Sequence, residues 1–410
     1  MSSGAARRFG VLGALYFAQG LPFGFFTIAI PVLLRAQHVS LSKIGFASLL
    51  TLPWALKFLW APFLDRRWSS RLGRRRTWIL AMQLAGTLVL GAIALVPGSE
   101  ALGVLMAAMF LLNLIAATQD IATDGLAVEI LTLEERGLAN GLQVAGYRAG
   151  MIVGGGALLG LYDELGHHGL FAVMTLLTAA TTIPVLFARE PVTVAAPASE
   201  VPAPREVHFL KLPGAWRLIA LVVVYKAGEA TAQSMLKPFL TDHHLGLDDI
   251  ALLLGTVGFI AGMLGALVGG AVVGAIGRMR ALIVFGIGQV ITVLGYAYLA
   301  FGSPSKLELY AWAGFEHFAS GMATAALFTA MMDWSRPTSA GSDYTVQASA
   351  VVIATGIAST LGGVSAQALG YGGHFLLGAG LCVVAIVVTI RLFPKTPFPP
   401  PLPPITLERS

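Results

Sequence analysis

Long apolar runs recur from one end to the other of this 410-residue chain. A helix of about twenty apolar residues is long enough to cross the hydrocarbon core of a bilayer. Only 11% of the residues are charged, against about 25% in ordinary soluble domains. The strands of a membrane barrel would instead be about ten residues long with a two-residue alternation, and no such pattern is visible. We therefore expect an all-α membrane protein.

Twelve apolar spans can be placed, and a polar segment divides them into two groups of six. The spans cover residues 10–34, 43–64, 78–96, 102–131, 137–161, 169–188, 215–240, 249–276, 281–301, 307–333, 344–370 and 373–392. Prolines and charges between the sixth and seventh spans are typical of a linker. The predicted domains are an N-terminal six-helix bundle (1–190), a cytoplasmic Pro-rich linker (191–214), a C-terminal six-helix bundle (215–392) and a disordered Pro-rich cytoplasmic tail (393–410).

The positions of lysine and arginine predict the orientation of the chain. Nineteen of them lie at the termini and in loops after even-numbered spans, and three lie on the opposite side. Loops rich in Lys and Arg stay in the cytoplasm, so we expect both termini to be cytoplasmic. The net charge of +5 therefore belongs to membrane loops and does not indicate nucleic-acid binding. The first span is too long for a signal-peptide core, and we expect it to be retained.

The two halves of the chain resemble each other. Residues 31–44 are similar to residues 238–250, and residues 137–143 are similar to residues 341–347. Spans 1 and 7, and spans 5 and 11, then correspond with the same topology. A parallel repeat of six spans is the architecture of major facilitator transporters, whose site lies near the membrane midplane between the halves. We predict this fold.

Charged residues lie inside spans 4 and 5. Asp120 is eleven residues before Leu131 at the end of span 4, and Arg148 is eleven residues after Gly137 at the start of span 5. Equal counts from one turn place both at a depth of about 16 Å, at a rise of 1.5 Å per residue. Charges at such depth are costly and face the bundle interior or a watery cavity. We predict that Asp120 approaches Arg148 and couples protonation to transport; the alternative is a purely structural bridge.

Further polar residues accompany this pair. Asp124 shares a helix face with Asp120, and two carboxylates so close together favour binding of a proton by one of them. Lys226 and Glu229 share a face of span 7 with Gln233, where they either meet a charged solute or a proton or neutralise each other. The candidate residues of the solute and proton pathway are Tyr16, Gln19, Gln119, Asp120, Asp124, Gln143, Tyr147, Arg148, Lys226, Glu229 and Gln233. Lys57 in span 2 can either reach the cavity or extend its ammonium group towards the membrane surface, and we favour the second.

The loop between spans 2 and 3 contains a pattern of one acid and several arginines. Asp65-Arg66 is followed by Gly73-Arg74-Arg75, which resembles the G-x-L-x-D-R-x-G-R-R loop signature of major facilitators. An aspartate here can cap a helix end and pair with arginines, so we predict a cytoplasmic gate. The alternative is that the arginines only anchor the loop. The second-half copy, residues 270–278, has lost its acid.

Several motifs resemble the AmpG-type permease family of the major facilitators. They are residues 16–22 (YFAQGLP), 52–62 (LPWALKFLWAP), 117–124 (ATQDIATD), 135–137 (ERG), 146–148 (GYR) and 225–226 (YK). The resemblance implies a proton-driven importer of the bacterial inner membrane. Members of the family carry anhydromuropeptides, and shorter relatives carry siderophores of the pyochelin and rhizobactin kind. The muropeptide members have two additional spans, so a chain of twelve spans favours a siderophore-type relative.

We therefore expect an inner-membrane secondary transporter that imports a medium-sized polar solute, a siderophore or a muropeptide, together with protons. A non-transporting sensor on a transporter scaffold and a membrane-embedded enzyme are the alternatives. The sequence contains no H-E-x-x-H, G-x-S-x-G or P-loop motif, so we expect neither catalysis nor ATP as the energy source. We expect no cofactor and no metal, and the expected partners are the solute, protons and the bilayer, with the chain acting as a monomer.

Overall fold

The protein is described by a computed structural model over residues 3–29, 52–95, 102–187, 208–243, 245–395 and 398. These residues are almost entirely helical, and the only β-type pairing among them is an isolated bridge between Ser69 and Gly73. Described helices occupy parts of all twelve predicted spans. The prediction of an all-α membrane protein is therefore confirmed.

Six helices lie among the described residues of the N-terminal half. α1 is Ser3–Gly24 and continues into the π-helical turn Phe25–Ala29; α2 consists of Leu52–Leu56, the 3-10 turn Lys57–Leu59 and Ala61–Arg66; α3 is Arg74–Leu95; α4 is Leu102–Ile130; α5 is Arg136–Met151, continued by Ile152–Ala157 and Leu158–Gly160; α6 is Tyr162–Phe187. The predicted end of span 1 and the predicted start of span 2 lie outside the described residues.

Six more helices form the C-terminal half. α7 consists of Ala215–Ser234 and Leu236–Asp242; α8 consists of Leu247–Ile250, Ala251–Val257 and Gly258–Ile276; α9 is Arg278–Phe301; α10 is Lys306–Asp333; α11 and α12 are the two parts of Ala340–Leu392. The 3-10 turns Phe209–Lys211 and Pro337–Ser339 precede α7 and α11.

Two helix boundaries show how local sequence sets these elements. Gly370 has a φ of 68°, a conformation that favours glycine, and it separates α11 (340–369) from α12 (371–392). This break agrees with the predicted boundary between spans 11 and 12. At the start of α10, the Ser305 hydroxyl accepts a hydrogen bond from the Glu308 backbone, and the Glu308 carboxylate accepts one from the Ser305 backbone. This reciprocal capping satisfies two backbone N–H groups that the first helical turn leaves free.

The outer faces of the helices are apolar. Leu88, Leu176, Ile291 and Val364 are all exposed, as expected for side chains that face lipid. Seven stretches of described helix have the length and hydropathy of a membrane span, the last of which contains both α11 and α12. Hydrophobic residues therefore cover the outer faces of the helices and fill most of the inside, and the buried polar residues occupy selected interior positions.

Small residues bring the two halves together along α5 and α8. These helices meet at the end of the bundle that carries Arg74, Arg75, Arg136 and Arg278, which we call the arginine-rich end. A Cβ atom at Gly141 would lie 2.6 Å from the carbonyl oxygen of Ala266, and one at Gly137 would lie 2.5 Å from that of Gly270. Such close backbone approach requires glycine. The arginine-rich end is thus closed between α5 and α8.

Replacing Gly141 by alanine is expected to loosen this closed end. The added methyl group overlaps the Ala266 carbonyl group, and overpacking of this kind costs roughly 1–3 kcal/mol. A cysteine introduced at the buried position Ser339 should then react faster with a maleimide. Gly274→Ala is the matched control, because a Cβ atom at that position in α8 meets no atom within 4 Å. Equal labelling rates in the two variants would show that the contact does not hold this end shut.

The described residues of the C-terminal tail lie against the bundle. The rings of Phe393 and Trp334 have centroids 5.7 Å apart, and those of Phe398 and Phe209 have centroids 6.0 Å apart. These two tail residues therefore differ from the predicted disorder, because their aromatic rings find apolar partners. The rest of the predicted tail, and residues 188–207 of the linker region, lie outside the described residues.

Candidate functional site

A buried cluster of charges lies in the N-terminal half. The Lys57 ammonium group from α2 is hydrogen bonded to the Asp120 carboxylate of α4, and it lies 4.0 Å from an oxygen of Asp124. All three side chains are almost fully buried, and Lys57 is only 2% exposed. One lysine therefore faces two carboxylates inside the bundle.

The structure corrects two predictions about this cluster. Asp120 pairs with Lys57 and not with Arg148, because equal depth does not determine which way a side chain points around its helix. Lys57 does not reach for the membrane surface. Its side chain, at the start of the 3-10 turn Lys57–Leu59, lies inside the bundle, where the centre of the Trp54 ring is 5.5 Å from the ammonium nitrogen.

Several predicted residues do surround the two aspartates. The Tyr16 hydroxyl donates to Asp124 over 2.8 Å, and the Gln143 amide donates to the same oxygen over 3.3 Å. Gln19 donates to the Thr123 hydroxyl over 3.2 Å. These contacts tie α1, α4 and α5 to one carboxylate-centred network.

Two other predicted residues lie nearby without joining that network. The amide nitrogen of Gln119 is buried and has no hydrogen-bond partner among the described residues. The Tyr147 ring packs against Phe23 and Trp54, with centroids 5.6 Å and 6.4 Å away. Gln119 is thus a donor without a protein partner, whereas Tyr147 contributes an aromatic wall.

A second buried cluster lies in the C-terminal half and contains the predicted span 7 residues. The Lys226 ammonium group is 2.5 Å from the Glu229 carboxylate and 3.2 Å from the Thr324 hydroxyl. Gln289 donates to Glu229 over 2.9 Å, and the Ser320 hydroxyl also donates to it. Glu229 is thus a paired carboxylate whose oxygens are well supplied with hydrogen bonds.

The sequence analysis missed Glu316 and His317 of α10. Gln233 donates to Glu316 over 3.0 Å and lies 3.4 Å from Glu229, so one amide links the two carboxylates. The His317 Nδ1 atom is 3.2 Å from the Glu316 carboxylate. Glu316 is only 1% exposed. An acid inside an apolar run was the signal that could have found it, by the same reasoning that identified Asp120.

Arg148 of α5 lies between the two clusters, at the boundary between the halves. Its guanidinium group rests on Gly262 of α8, where any side chain would occupy the same space. It is half-buried and interacts electrostatically with Glu229 and Glu316 of the opposite half. No carboxylate of the described residues forms a salt bridge with it within 4.0 Å, in contrast to Lys57 and Lys226.

The predicted gate residues form an ion-pair network at the arginine-rich end. Asp65 at the end of α2 pairs with Arg75 over 2.5 Å, and Arg75 pairs with Glu129 of α4 over 2.6 Å. The other Asp65 oxygen accepts a hydrogen bond of 2.8 Å from the backbone N–H of Ser342 at the start of α11. Arg74 lies 3.4 Å from Asp65. The network therefore connects the two halves of the chain.

The remaining gate residues have supporting positions. Gly73 has a φ of 99°, which a glycine adopts easily, in the tight turn that leads into α3. Arg74 donates to the backbone carbonyl of Thr338 in the opposite half over 2.5 Å. Arg66 is exposed at the end of α2.

A second network repeats this arrangement around Asp333 at the end of α10. Arg136 of α5 pairs with Asp333 over 2.9 Å, and Arg278 of α9 pairs with it over 2.6 Å. Arg278 also donates to the carbonyl of Leu133 in the other half over 2.5 Å. The second-half loop has lost its own acid, as its sequence shows, and Asp333 from another helix takes that place.

The hairpin turn between α4 and α5 is held to the N-terminus at this end. The Arg8 guanidinium group is hydrogen bonded to the Glu135 carboxylate. Burial acts to raise the pKa of Glu135, but the hydrogen bonds from Arg8 and Thr132 outweigh this effect and lower its pKa. The turn thus keeps an ionised carboxylate at neutral pH.

Comparison with known protein families identifies the family of this chain. The family model of the Major Facilitator Superfamily matches residues 12–315. The chain belongs to the major facilitator superfamily. Among curated proteins, this major facilitator is 30% identical to the anhydromuropeptide permease of Escherichia coli K12 over 93% of this chain and 79% of that permease. It is 25% identical to the putative transporter AmpG 4 of Rickettsia conorii, over 92% and 94% of the two chains. The resemblance to AmpG-type permeases is confirmed.

Solved structures show the same fold at low identity. The human organic anion transporter MFSD10 matches with a TM-score of 0.70 and 14% identity, over 94% of this chain and 99% of that chain. The transporter FucP in its outward conformation matches with a TM-score of 0.69 and 14% identity, over the same shares. The predicted major facilitator fold is therefore confirmed.

Replacing the gate aspartate Asp65 by asparagine is expected to slow uptake by this major facilitator while leaving the fold intact. Asparagine has the same shape but loses the charge that pairs with Arg75, and a hydrogen bond to a charged group contributes roughly 1.5–3 kcal/mol. Initial uptake rates should fall about tenfold, after correction for the amount of protein in the membrane. Glu308→Gln, in the helix cap at the opposite end, is the control. Unchanged uptake in a well-expressed Asp65→Asn protein would remove the gate from the mechanism.

Proposed function

We propose that this chain imports anhydromuropeptide-type solutes across the bacterial inner membrane together with protons, with both termini in the cytoplasm. The observation that carries the proposal is its 30% identity, over 93% of its length, to an anhydromuropeptide permease. The sequence analysis favoured a siderophore on the number of spans. The alignment extends over 79% of the permease, and this coverage supports the muropeptide as the first choice.

The two ion-pair networks support import by alternating access. Both networks lie at the arginine-rich end, which is the cytoplasmic end if the positive residues stay inside. Asp65 and Asp333 each join the two halves there. With this end closed, the solute would enter from the opposite end, and opening of the networks would release it into the cytoplasm.

The charges inside the bundle support coupling to a proton. The cations of the two clusters, together with the arginine at the boundary between the halves, are Lys57, Lys226 and Arg148. The carboxylates of the two clusters are Asp120, Asp124, Glu229 and Glu316. With these seven groups ionised and His317 neutral, the two clusters and Arg148 together hold one more negative charge than positive charge. Uncompensated charge is costly in this environment. A single proton would neutralise it, and we assign that proton to the Asp120–Asp124 pair, which shares one lysine.

The second candidate solute is a siderophore, because the twelve spans predicted for the chain favour a siderophore-type relative. Membrane vesicles containing the protein should accumulate labelled anhydromuropeptide, and an uncoupler should abolish the accumulation. The same vesicles should be offered a labelled ferric siderophore. Accumulation of the siderophore alone would replace the substrate assignment, and accumulation of neither would favour a sensor on this scaffold.

We also propose, as the sequence analysis expected, that the transporting unit is a monomer. After cross-linking in native membranes, the amount of any cross-linked dimer should not vary with the uptake activity.

A further inference from the structure

Arg148 differs from the other two basic groups inside the bundle. Lys57 and Lys226 each form a salt bridge with an acid of their own half, and the side chains of both lysines are mostly buried. Arg148 is half-buried, and it extends from α5 across the boundary to the opposite half. Of these three cations, Arg148 is thus the one without a salt-bridge partner among the described residues.

The surroundings of Glu316 show which charge Arg148 balances. Lys226 already neutralises Glu229 at 2.5 Å, so with His317 neutral Glu316 is the surplus acid of this cluster. The groups that face Glu316 are Gln233 of α7, Tyr296 of α9, His317 of α10, the Cys382 thiol of α12 and Arg148 of α5. Only Arg148 among them carries a permanent positive charge.

We propose that Arg148 binds a carboxylate group of the solute, and that Glu316 attracts Arg148 in place of that carboxylate when the site is empty. The proposal deepens the proposed function and rests on it. Arginine suits this role because its planar donor pairs match a carboxylate in two parallel hydrogen bonds. Gly262 has no side chain, and this leaves the space that the guanidinium group occupies on α8.

The surplus acid does not become isolated when the solute takes Arg148. Gln233 and Tyr296 remain as hydrogen-bond donors to Glu316, at 3.0 Å and 3.4 Å, and His317 stays 3.2 Å away. A buried carboxylate with such partners is tolerated far better than one without them. Arg148 can therefore leave Glu316 for a solute anion, and a neutral solute offers no such replacement.

The test compares one muropeptide as the free acid and as its fully esterified methyl ester in proteoliposomes. The wild-type protein should transport the acid at least about tenfold more efficiently, the scale of a charged hydrogen bond. Arg148→Gln should transport both forms equally, and Arg148→Lys should recover part of the preference. The control is Arg217→Gln, an exposed arginine at the start of α7, which should keep the full preference.

A second variant makes the test independent of how well Arg148→Gln folds. Glu316→Gln removes the competing acid, so the KM for the free acid should fall severalfold while the KM for the ester stays unchanged. A wild-type preference for the acid that survives in Arg148→Gln, or a KM in Glu316→Gln that does not fall, overturns the proposal while leaving the transport function standing. A wild-type protein that transports neither form overturns both.

Discussion

Replacing Lys57 by methionine should reduce uptake by about a hundredfold or more, because breaking a buried ion pair costs roughly 3–5 kcal/mol. Methionine fills a similar volume but leaves Asp120 and Asp124 without the ammonium group that now contacts both. Two carboxylates then remain inside the bundle without a neighbouring cation. Initial uptake of labelled anhydromuropeptide into vesicles, corrected for the amount of protein, measures the effect.

The Asp120→Asn protein separates coupling from structure. If Asp120 takes part in proton coupling, this variant should lose accumulation against a gradient but keep counterflow, which needs no net proton movement. A pair that is only structural would instead lose both transport modes together with thermal stability. If Asp120→Asn still accumulates solute under an imposed pH difference, coupling resides elsewhere and Glu229 is the next residue to test.

Replacing Lys226 by alanine in the C-terminal half should also reduce uptake by about a hundredfold, because it leaves the buried Glu229 carboxylate without its cation. Lys226 is the cation next to Glu229, at 2.5 Å, and the described structure gives Glu229 no other basic partner within 4.0 Å. Lys226→Arg keeps the charge and should be milder than Lys226→Ala. The measurement is uptake together with the melting temperature of the purified variants.

The double replacement Lys226→Met with Glu229→Leu tests whether this pair only neutralises itself. It removes both charges, so a self-contained structural pair should be replaceable by apolar residues with little loss. We expect only partial recovery, because Gln289, Ser320 and Gln233 also donate to Glu229 and would lose their acceptor. Full recovery of uptake would assign the pair to structure alone.

The sequence predicted those features that follow from hydropathy and from charge in an apolar run. Apolar runs located the helices, and the cost of buried charge singled out Asp120, Asp124 and Glu229, all of which lie inside the bundle. The Asp65–Arg75 gate pair followed from its motif. Each of these features needs only the position of a residue along the chain.

The partners of these residues were not predictable in the same way, because they depend on rotation about each helix axis. Asp120 and Arg148 are equally many residues from the α4–α5 turn, yet one faces Lys57 and the other faces Gly262 and the C-terminal half. Lys57 lies at the start of a 3-10 turn, and its pairing with Asp120 depends on how α2 packs against α4. Contacts across the two halves, such as Asp65 with Ser342, join residues far apart in the chain and require the packed bundle.

The most direct test of proton-coupled muropeptide import is to follow lumenal pH in proteoliposomes that contain the wild-type protein and a trapped pH-sensitive dye. Addition of anhydromuropeptide outside should acidify the lumen as solute enters, and Asp120→Asn should take up solute down its gradient without acidification. An equal amount of a solute that is not transported serves as the control. Uptake of anhydromuropeptide by the wild-type protein with no change in lumenal pH would contradict proton coupling, and the absence of any uptake would contradict the assigned transport function.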